Sequence, residues 1–297
     1  MNRPPKVSII TTAYNPGHFL SLALESAWSQ SFEDFELILL DNGCTDGSIE
    51  ALQSSLDPRC RLDRHTENLG RTPALNRALS MSQGDFIAVL DADDVWHPDH
   101  LKLLLEQIDP YEDRVLAGTW CTWIDEYNRE FSRTRYPSSK ADLCDRMAWQ
   151  NPFIHSASMY RRAAANKVGG YNEDFKFAHD FDLWLNLVQI GDATVVCEYL
   201  TNIRMHASNT SDRPQFSLTR LRDTIQLYTR AAEQFDVSFA ARLANRKILA
   251  DASMRYGAAL RTSGKVTEGL KWSAWSVSLD PLVFVRWVIR KIRSRDE

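Results

Sequence analysis

The chain has no long apolar run and little of the cysteine patterning that marks disulfide or metal sites. No stretch of about 18 consecutive apolar residues occurs, so the sequence predicts no membrane-spanning helix. Its five cysteines are an odd number, lie far apart and form no C-x-x-C pair. That pattern argues against a disulfide framework or a zinc ribbon and fits a reducing cytoplasm. The N-terminal residues lead directly into a strand-like run, so no signal peptide is expected.

A strong charge of one sign is also absent. A net charge of -4 over 297 residues gives no support to a nucleic-acid-binding surface. The composition is 44% hydrophobic and 10% aromatic, which is ample for a packed core and excludes global disorder. The length suits one large domain, or one domain with a smaller appendage.

What the sequence does contain is a regular alternation of strand and helix. Short apolar or β-branched runs predict strands at residues 7–12, 35–40, 61–63 and 84–90. Helical spacing and capping residues predict helices at residues 19–27, 48–56, 72–81 and 101–108. This alternation predicts an α/β fold with a mainly parallel central sheet flanked by helices.

Beyond residue 108 the pattern changes. Residues 116–136 predict a hairpin of longer, aromatic-rich strands that includes Trp120 and Trp123, and at least one of these tryptophans is expected in the core. A helix at 178–190 and a strand at 194–199 follow, and from about residue 214 only helices are predicted. Residues 252–280 resemble one tetratricopeptide-like helix pair.

The apolar run at 84–90 ends in three carboxylates within four positions, Asp91, Asp93 and Asp94. A buried strand would place them at its carboxyl end, where open α/β sheets bind ligands. Because like charges so close together repel, a cation bound between them is the simplest explanation. A solvated acidic loop is the alternative. Asp94 has two open roles, a cap on the helix that follows and a contact with the sugar.

Several short motifs occur in order between residues 6 and 212. They are the segments at 8–15 (SIITTAYN), 40–47 (LDNGCTDG), 68–70 (NLG) with Asn76, 90–94 (LDADD), 159–161 (MYR), 168–171 (VGGY), 178–185 (AHDFDLWL) and 204–206 (RMH). Together they resemble the family 2 inverting glycosyltransferases, which have the GT-A fold. The resemblance implies a nucleotide-sugar half at about residues 1–108, an acceptor half at 109–212 and a helical C-terminal extension at 213–297.

The resemblance also implies roles for individual residues and a Mn²⁺ or Mg²⁺ cofactor. Asp180 is the expected catalytic base, and Asp93 with His206 the expected metal ligands. Donor contacts are expected from Thr11, Ala13, Tyr14, Asp41, Arg71, Asn76, Asp91 and Ala92, and acceptor contacts from His179 and Trp184. This chain departs from the family at Asn42 and His179, where an acid is common, and at Leu75, where an Arg often precedes the Asn; these changes bear on donor selectivity.

Most of these residues also have a structural interpretation. Instead of contacting a base, Asp41 could be a turn residue that bonds its own backbone. Instead of contacting ligands, Tyr14 and Trp184 could be core residues. Arg71 is interpreted as facing only solvent, with a phosphate contact as the alternative. Asp180 is otherwise an N-terminal helix acid, with Asp182 as the alternative base, and a lone His206 is otherwise structural.

The expected function is therefore a metal-dependent inverting glycosyltransferase. It would move a sugar from a nucleotide-diphosphate donor, with uridine as the default base, to a glycan or lipid-linked acceptor in surface polysaccharide synthesis. An inactive glycan-binding or scaffold protein of the same fold is the alternative. A sugar nucleotidyltransferase is less favoured, because the Gly- and Arg-rich loop it needs after the first strand is missing.

The C-terminal run at 282–293 mixes apolar residues with four basic ones and no acids. It predicts an interfacial helix on anionic lipid, so that the protein would be cytoplasmic and lie at the inner face of the plasma membrane. A helix that packs on its own domain with a basic outer face is the alternative.

Overall fold

The computed structural model of the chain describes residues 3–52, 56–207 and 217–293. Strands and helices alternate through its first half. The strands are β1 (Val7–Ala13), β2 (Phe35–Asn42), β3 (Cys60–His65), β4 (Phe86–Val89), β5 (Val95–Trp96), β6 (Arg114–Asp125), β7 (Glu130–Thr134), β8 (Ser158–Arg161) and β9 (Asp192–Met205). The helices are α1 (Phe19–Trp28), α2 (Ser48–Leu52), α3 (Arg71–Met81), α4 (His100–Ile108), α5 (Lys140–Met147), α6 (Arg162–Val168), α7 (His179–Ile190), α8 (Ser217–Gln234), α9 (Phe239–Thr262), α10 (Val266–Leu279) and α11 (Val283–Arg293).

The strands form one mixed sheet in the order β3-β2-β1-β4-β8-β6-β9-β5, with β7 paired to β6. The first four strands of that order run parallel, as strands joined by crossover helices must. β8 is antiparallel to β4 and to β6, whereas β9 runs parallel to β6. The predicted α/β class with a mainly parallel first half is confirmed.

Both faces of the parallel half are covered, because successive side chains of a strand point to opposite faces. Val7 and Ile9 of β1 join a buried cluster with α1 and α4 on one face. The intervening residue Ile10 is also fully buried, and α3 packs on β1 and β2. The near-continuous apolar character of β1 and β2 therefore follows from burial on two sides.

Parallel pairing also aligns the carboxyl ends of β1, β2 and β4. Ala13, the last residue of β1, is in register with Asp41 of β2, and Leu90 directly after β4 donates its N–H to the Ile10 carbonyl. The polar segments after these three strands consequently meet at one edge of the sheet.

The predicted hairpin is confirmed, since β6 and β7 pair antiparallel. The predicted strand at 194–199 was too short, because β9 covers fourteen residues. The apolar signal stops at Tyr199, but the more polar stretch beyond it continues the pairing with β6 and receives β5. The predicted helix at 48–56 is α2 as far as Leu52, and residues 53–55 of that prediction lie outside the described part of the chain.

The chain divides into two compact units. The first comprises residues 1–143, 152–175 and 179–208, and the second residues 144–151, 176–178 and 209–297. The predicted boundary at 212–213 itself lies outside the described residues. The described residues of the predicted extension are helical, as expected, and form α8 to α11. None of the helices described in the structure has the length and apolar character needed to cross a bilayer.

Candidate active site

The three acids after β4 point to three different partners. Asp91 forms an ion pair with Arg71, Asp93 lies against His206, and Asp94 is buried and accepts the backbone N–H of Arg204 at 2.8 Å. Asp91 and Asp93 thus face different groups, as their spacing of two predicts. The acids do not form a solvated loop.

The predicted capping role of Asp94 is wrong. A short strand, β5, follows it, and α4 begins only at His100, after Asp99. Asp94 instead ties the acidic turn to β9. Burial, together with the charges of Asp93 and Asp91, holds its pKa well above the ordinary carboxyl value.

Arg204 fixes this turn from the β9 side. Its side chain is almost fully buried, its Nε donates to the Asp93 carbonyl at 2.8 Å, and its Nη1 donates to Asn128 Oδ1 at 2.7 Å. Sequence reasoning gave Arg204 no role of its own, although the residue belongs to the motif at 204–206. Its contacts place Asp93 opposite His206, two residues further along the chain.

Asp93 and His206, the two residues predicted as metal ligands, lie against each other. The His206 Nε2 lies 3.0 Å from Asp93 Oδ2, and the His206 ring packs on Phe19 with centroids 4.7 Å apart. Within the described part of the chain, no group of three or more His, Cys, Asp or Glu side chains could hold a metal ion. A carboxylate oxygen and an imidazole nitrogen are donors that Mn²⁺ accepts, so the pair fits a cation that takes its other ligands from phosphate oxygens and water.

Arg71 at the start of α3 connects the acidic turn to the N-terminus of α7. Its Nη2 is 2.5 Å from Asp91 Oδ1 and 3.3 Å from His155 Nδ1, and its Nε donates to His179 Nε2 at 3.3 Å. The expectation that Arg71 faces only solvent is therefore wrong. Burial would raise the pKa of Asp91, but the Arg71 charge and the His155 hydrogen bond outweigh it and hold this pKa below the ordinary value.

His155 is the central residue that sequence reasoning missed. It is buried, and its Nε2 lies 2.9 Å from the hydroxyl of Tyr171, which lies 3.0 Å from the hydroxyl of Tyr160. Its position shortly before the motif at 159–161 was the only sequence signal, and a lone His is usually structural. In the structure, His155 contacts both Arg71 and Asp91 and helps to hold them in position.

Asp180 lies in the first turn of α7, next to His179. Burial raises its pKa above the ordinary carboxyl value, while His155, the Phe181 N–H and Arg71 oppose the rise. The charge of Asp91 also raises the pKa of Asp180, so the two acids belong to one electrostatic cluster. The alternative base, Asp182, is fully buried and accepts from Asn186 of its own helix at 3.2 Å.

The residues expected at the donor base lie at the ends of β1 and β2. Tyr14 is 49% exposed, so the core alternative for it is excluded. Thr11 and Ala13 are fully buried, and Ala92 is also buried. Asp41 accepts the Cys44 backbone N–H at 2.8 Å, as in the turn alternative, and pairs with Arg64 at 3.1 Å.

Two predicted ligand contacts have other partners in the structure. Asn76 is bonded to the backbone N–H and carbonyl of Tyr171 at 2.9 and 2.8 Å, so its amide clamps the loop before α7. Trp184 is fully buried, and its Nε1 donates to the Phe153 carbonyl at 3.1 Å. The predicted contact of Trp184 with an acceptor is therefore wrong, because its ring lies in the core of the first unit.

The hairpin tryptophans are both partly buried. Trp120 packs on Tyr199 and donates to the Tyr136 carbonyl at 2.9 Å, and Trp123 donates to Thr134 at 2.7 Å. Trp123 packs against a small core cluster around Cys121 and Ile203. The expectation that at least one of them is a core residue is confirmed.

Comparisons with known proteins identify the family and the fold. A relative described as "Putative glycosyltransferase EpsE", of Bacillus subtilis (strain 168), is 31% identical over 196 residues, which are 64% of this chain and 69% of the relative. The structure of S. aureus TarS 1-349 in complex with UDP-GlcNAc superposes with a TM-score of 0.65 at 18% identity, over 94% of this chain and 84% of that one. The mannosyltransferase PcManGT from Pyrobaculum calidifontis, in complex with GDP-Man and Mn²⁺, gives 0.61 at 18% identity, over 95% and 88%.

The family itself is identified by the match of residues 8–169 to Glycosyl transferase family 2. That segment spans more than half of the chain and contains the acidic turn, Arg71 and His155. The two structural superpositions show that the fold is GT-A-like. The chain therefore belongs to glycosyltransferase family 2.

Proposed function

We propose that this glycosyltransferase is a metal-dependent, inverting enzyme that transfers a sugar from a nucleotide-diphosphate donor to a glycan or lipid-linked acceptor in surface polysaccharide synthesis. The observation that carries the proposal is the contact of Arg71 with both Asp91 and His179. It brings the acidic turn after β4 and the N-terminus of α7 into one cluster. A leaving-group site and a proton acceptor are thereby neighbours.

The donor side is supported by the polar segments at the carboxyl edge of the sheet. The bonds of Asp41 to Arg64 and to the Cys44 backbone N–H fix the position from which its carboxylate would contact the base. The exposed ring of Tyr14 would stack on the base. TarS and PcManGT, with the same type of fold, are seen with UDP-GlcNAc and GDP-Man, which supports a nucleotide-sugar donor here. We assign Tyr14, Asp41 and Asp91 to the donor site. The buried residues Thr11, Ala13 and Ala92 would shape that site from the strand ends, and Asn76 would support it through the Tyr171 loop.

Asp93 and His206 would hold the cation, and Mn²⁺ in the related PcManGT supports this choice of metal. A bound divalent cation would neutralise the charge that develops on a departing diphosphate. Arg71 adds a fixed positive charge beside the same turn, since Asp91 keeps its side chain in place. The cation and the guanidinium would together bind the anionic part of the donor.

Asp180 would act as the base in a single displacement. It would take the proton of the acceptor hydroxyl as that oxygen bonds to the anomeric carbon. The bond from the anomeric carbon to the phosphate oxygen breaks at the same time, and its electron pair leaves with the nucleoside diphosphate. One displacement of this kind inverts the anomeric configuration. His179, beside Asp180, accepts from Arg71 at its Nε2 and would contact the acceptor.

We also propose that α11 binds the surface of an anionic membrane, which would put the enzyme at the inner face of the plasma membrane. Val283 is fully buried and packs with Ala250 and Met254, so one edge of α11 belongs to its own unit. Trp287 also packs on this cluster, whereas Phe284, Val285 and Ile289 of the helix are exposed, as is Leu282 directly before it. Basic residues and no acids accompany them in the sequence of this helix, which is the composition of an interfacial helix.

The first prediction concerns the base. Asp180→Asn should leave the affinity for the nucleoside diphosphate within a few-fold and lower kcat by about 10²–10⁴-fold, the usual contribution of a general base. In the unsubstituted enzyme, kcat/KM should rise with pH through the raised pKa of Asp180, because only the ionised carboxylate accepts a proton. Asp99→Asn, which changes an acid at the N-terminus of α4, is the control. Full turnover by Asp180→Asn would show that another group is the base.

The second prediction concerns the metal. Mn²⁺ should increase the thermal stabilisation of the protein by UDP or GDP, because a ligand that binds only the folded state stabilises it. Asp93→Asn and His206→Ala should remove the Mn²⁺-dependent part of the shift, whereas His97→Ala should retain it. A scaffold protein would show no metal-dependent shift with any nucleotide. An unchanged Mn²⁺ effect in Asp93→Asn would refute the assigned ligands.

The third prediction concerns the membrane. The full chain should pellet in part with anionic vesicles, less so in high salt, and deletion after Pro281 should abolish pelleting. The double variant Phe284→Ser, Ile289→Ser should bind several-fold less. Phe239→Ser, which removes an 82% exposed phenylalanine from α9, is the matched control and should bind normally. Equal sedimentation of the truncated and full chains would contradict the proposal.

A further inference from the structure

The second compact unit, which includes α8 to α11, contains a groove that the proposed reaction does not use. It lies between α8 and α10, has a volume of about 680 Å³ and is lined by nine residues. Those on α8 share one helical face, and so do those on α10: Ile225, Gln226, Thr229, Arg230 and Glu233 from α8, and Glu268, Lys271, Trp272 and Trp275 from α10. Both helices pack on α9.

Two tryptophans dominate the groove. Trp272 and Trp275 are only partly buried, and their rings meet edge to face with centroids 5.4 Å apart and planes at 78°. Tyr256 of α9 supports Trp272 in the same manner, at 5.3 Å and 85°. The rings are therefore held in place before any ligand arrives, which reduces the entropy lost on binding.

The position of α10 is fixed by a close crossing with α9. A Cβ atom added to Gly257 would lie 2.6 Å from the Gly269 carbonyl oxygen, so the two backbones touch where only glycine fits. Arg261 of α9 also donates to Ser273 Oγ of α10 at 2.6 Å. The tryptophan pair thus belongs to a rigid helical hairpin.

The polar residues around the tryptophans carry balanced charge. Glu233 and Glu268 are offset by Arg230 and Lys271, and Gln226 adds an amide that can both donate and accept. A groove without net charge has no preference for a nucleotide, an anionic lipid or a nucleic acid. A saccharide combines the two properties that match it, apolar C–H faces for the indoles and many hydroxyls for the rim.

The size of the groove favours the same ligand class. Its volume lies within the range of about 300–1,000 Å³ that is usual for small-molecule sites. A stable protein partner would contact roughly 20–30 residues on each side, whereas nine residues line this groove. We propose that the groove between α8 and α10 binds a neutral segment of a glycan chain. This inference rests on the proposed function for the source of that chain, which would be the acceptor glycan or its product.

Binding of the full chain to an array of purified bacterial surface polysaccharides and their oligosaccharides tests this. Without nucleotide, the protein should bind a subset of the glycans. Trp272→Ala and Trp275→Ala should each weaken that binding by at least about tenfold, as truncation of a central aromatic commonly does. Leu270→Ala, an exposed change elsewhere on α10, should bind like the unsubstituted protein.

Three further variants separate the result from folding and from the reaction site. Glu268→Gln and Lys271→Met change exposed residues at the rim of the groove, and each should weaken glycan binding several-fold. Asp180→Asn should retain it. Absence of glycan binding by the full chain, or equal binding by the tryptophan variants, would overturn the inference, as would loss of binding in Asp180→Asn alone. Sugar transfer from a donor without any glycan binding at the groove would refute this inference while leaving the proposed function intact.

Discussion

The ion pair between Arg71 and Asp91 is the contact on which the candidate active site depends. It joins two parts of the chain that the sequence separates widely, the turn after β4 and the start of α7, because the same guanidinium also donates to His179. A guanidinium holds such a position well, since its planar donors satisfy several acceptors at once. His155 and Tyr171 complete the support beneath it. If Arg71 were removed, Asp91 would lose the positive charge that contributes most to lowering its pKa.

The sheet explains how such a cluster arises from distant residues. Parallel pairing of β2, β1 and β4 brings the polar ends of three strands to one edge. Arg204 near the end of β9 and His206 directly after it come from the other half of the sheet. Each acid then has a separate function: Asp94 anchors the turn, Asp91 holds Arg71, and Asp93 remains beside His206. Each of the three acids thereby has a different partner, and the charges of Asp93 and Asp91 contribute to the raised pKa of Asp94.

Much of this arrangement could be predicted from the sequence, but for unequal reasons. The alternation of apolar runs and helical spacing was enough for the parallel half and the hairpin, because burial on two faces leaves a strong local pattern. The pairing of Asp93 with His206, 113 positions apart, came only from resemblance to a family, since no local pattern encodes it. The acceptor contact of Trp184 and the helix cap considered for Asp94 were wrong, because neighbours in the sequence do not reveal the Phe153 carbonyl or the Arg204 N–H that these side chains bond. His155 was missed for the same reason, as its partners Arg71 and Tyr171 come from other elements.

The central claim is that one cleft holds a metal-bound diphosphate beside the proton acceptor on α7. The most direct test is a crystal structure of the full chain with Mn²⁺ and UDP or GDP, whichever stabilises it more. The account predicts Mn²⁺ bonded to Asp93, His206 and the diphosphate, with Arg71 in hydrogen-bonding reach of a phosphate oxygen and the Asp180 carboxylate facing the same cleft. Mn²⁺ bound without Asp93, or a nucleotide on a surface that Asp180 does not reach, would contradict it.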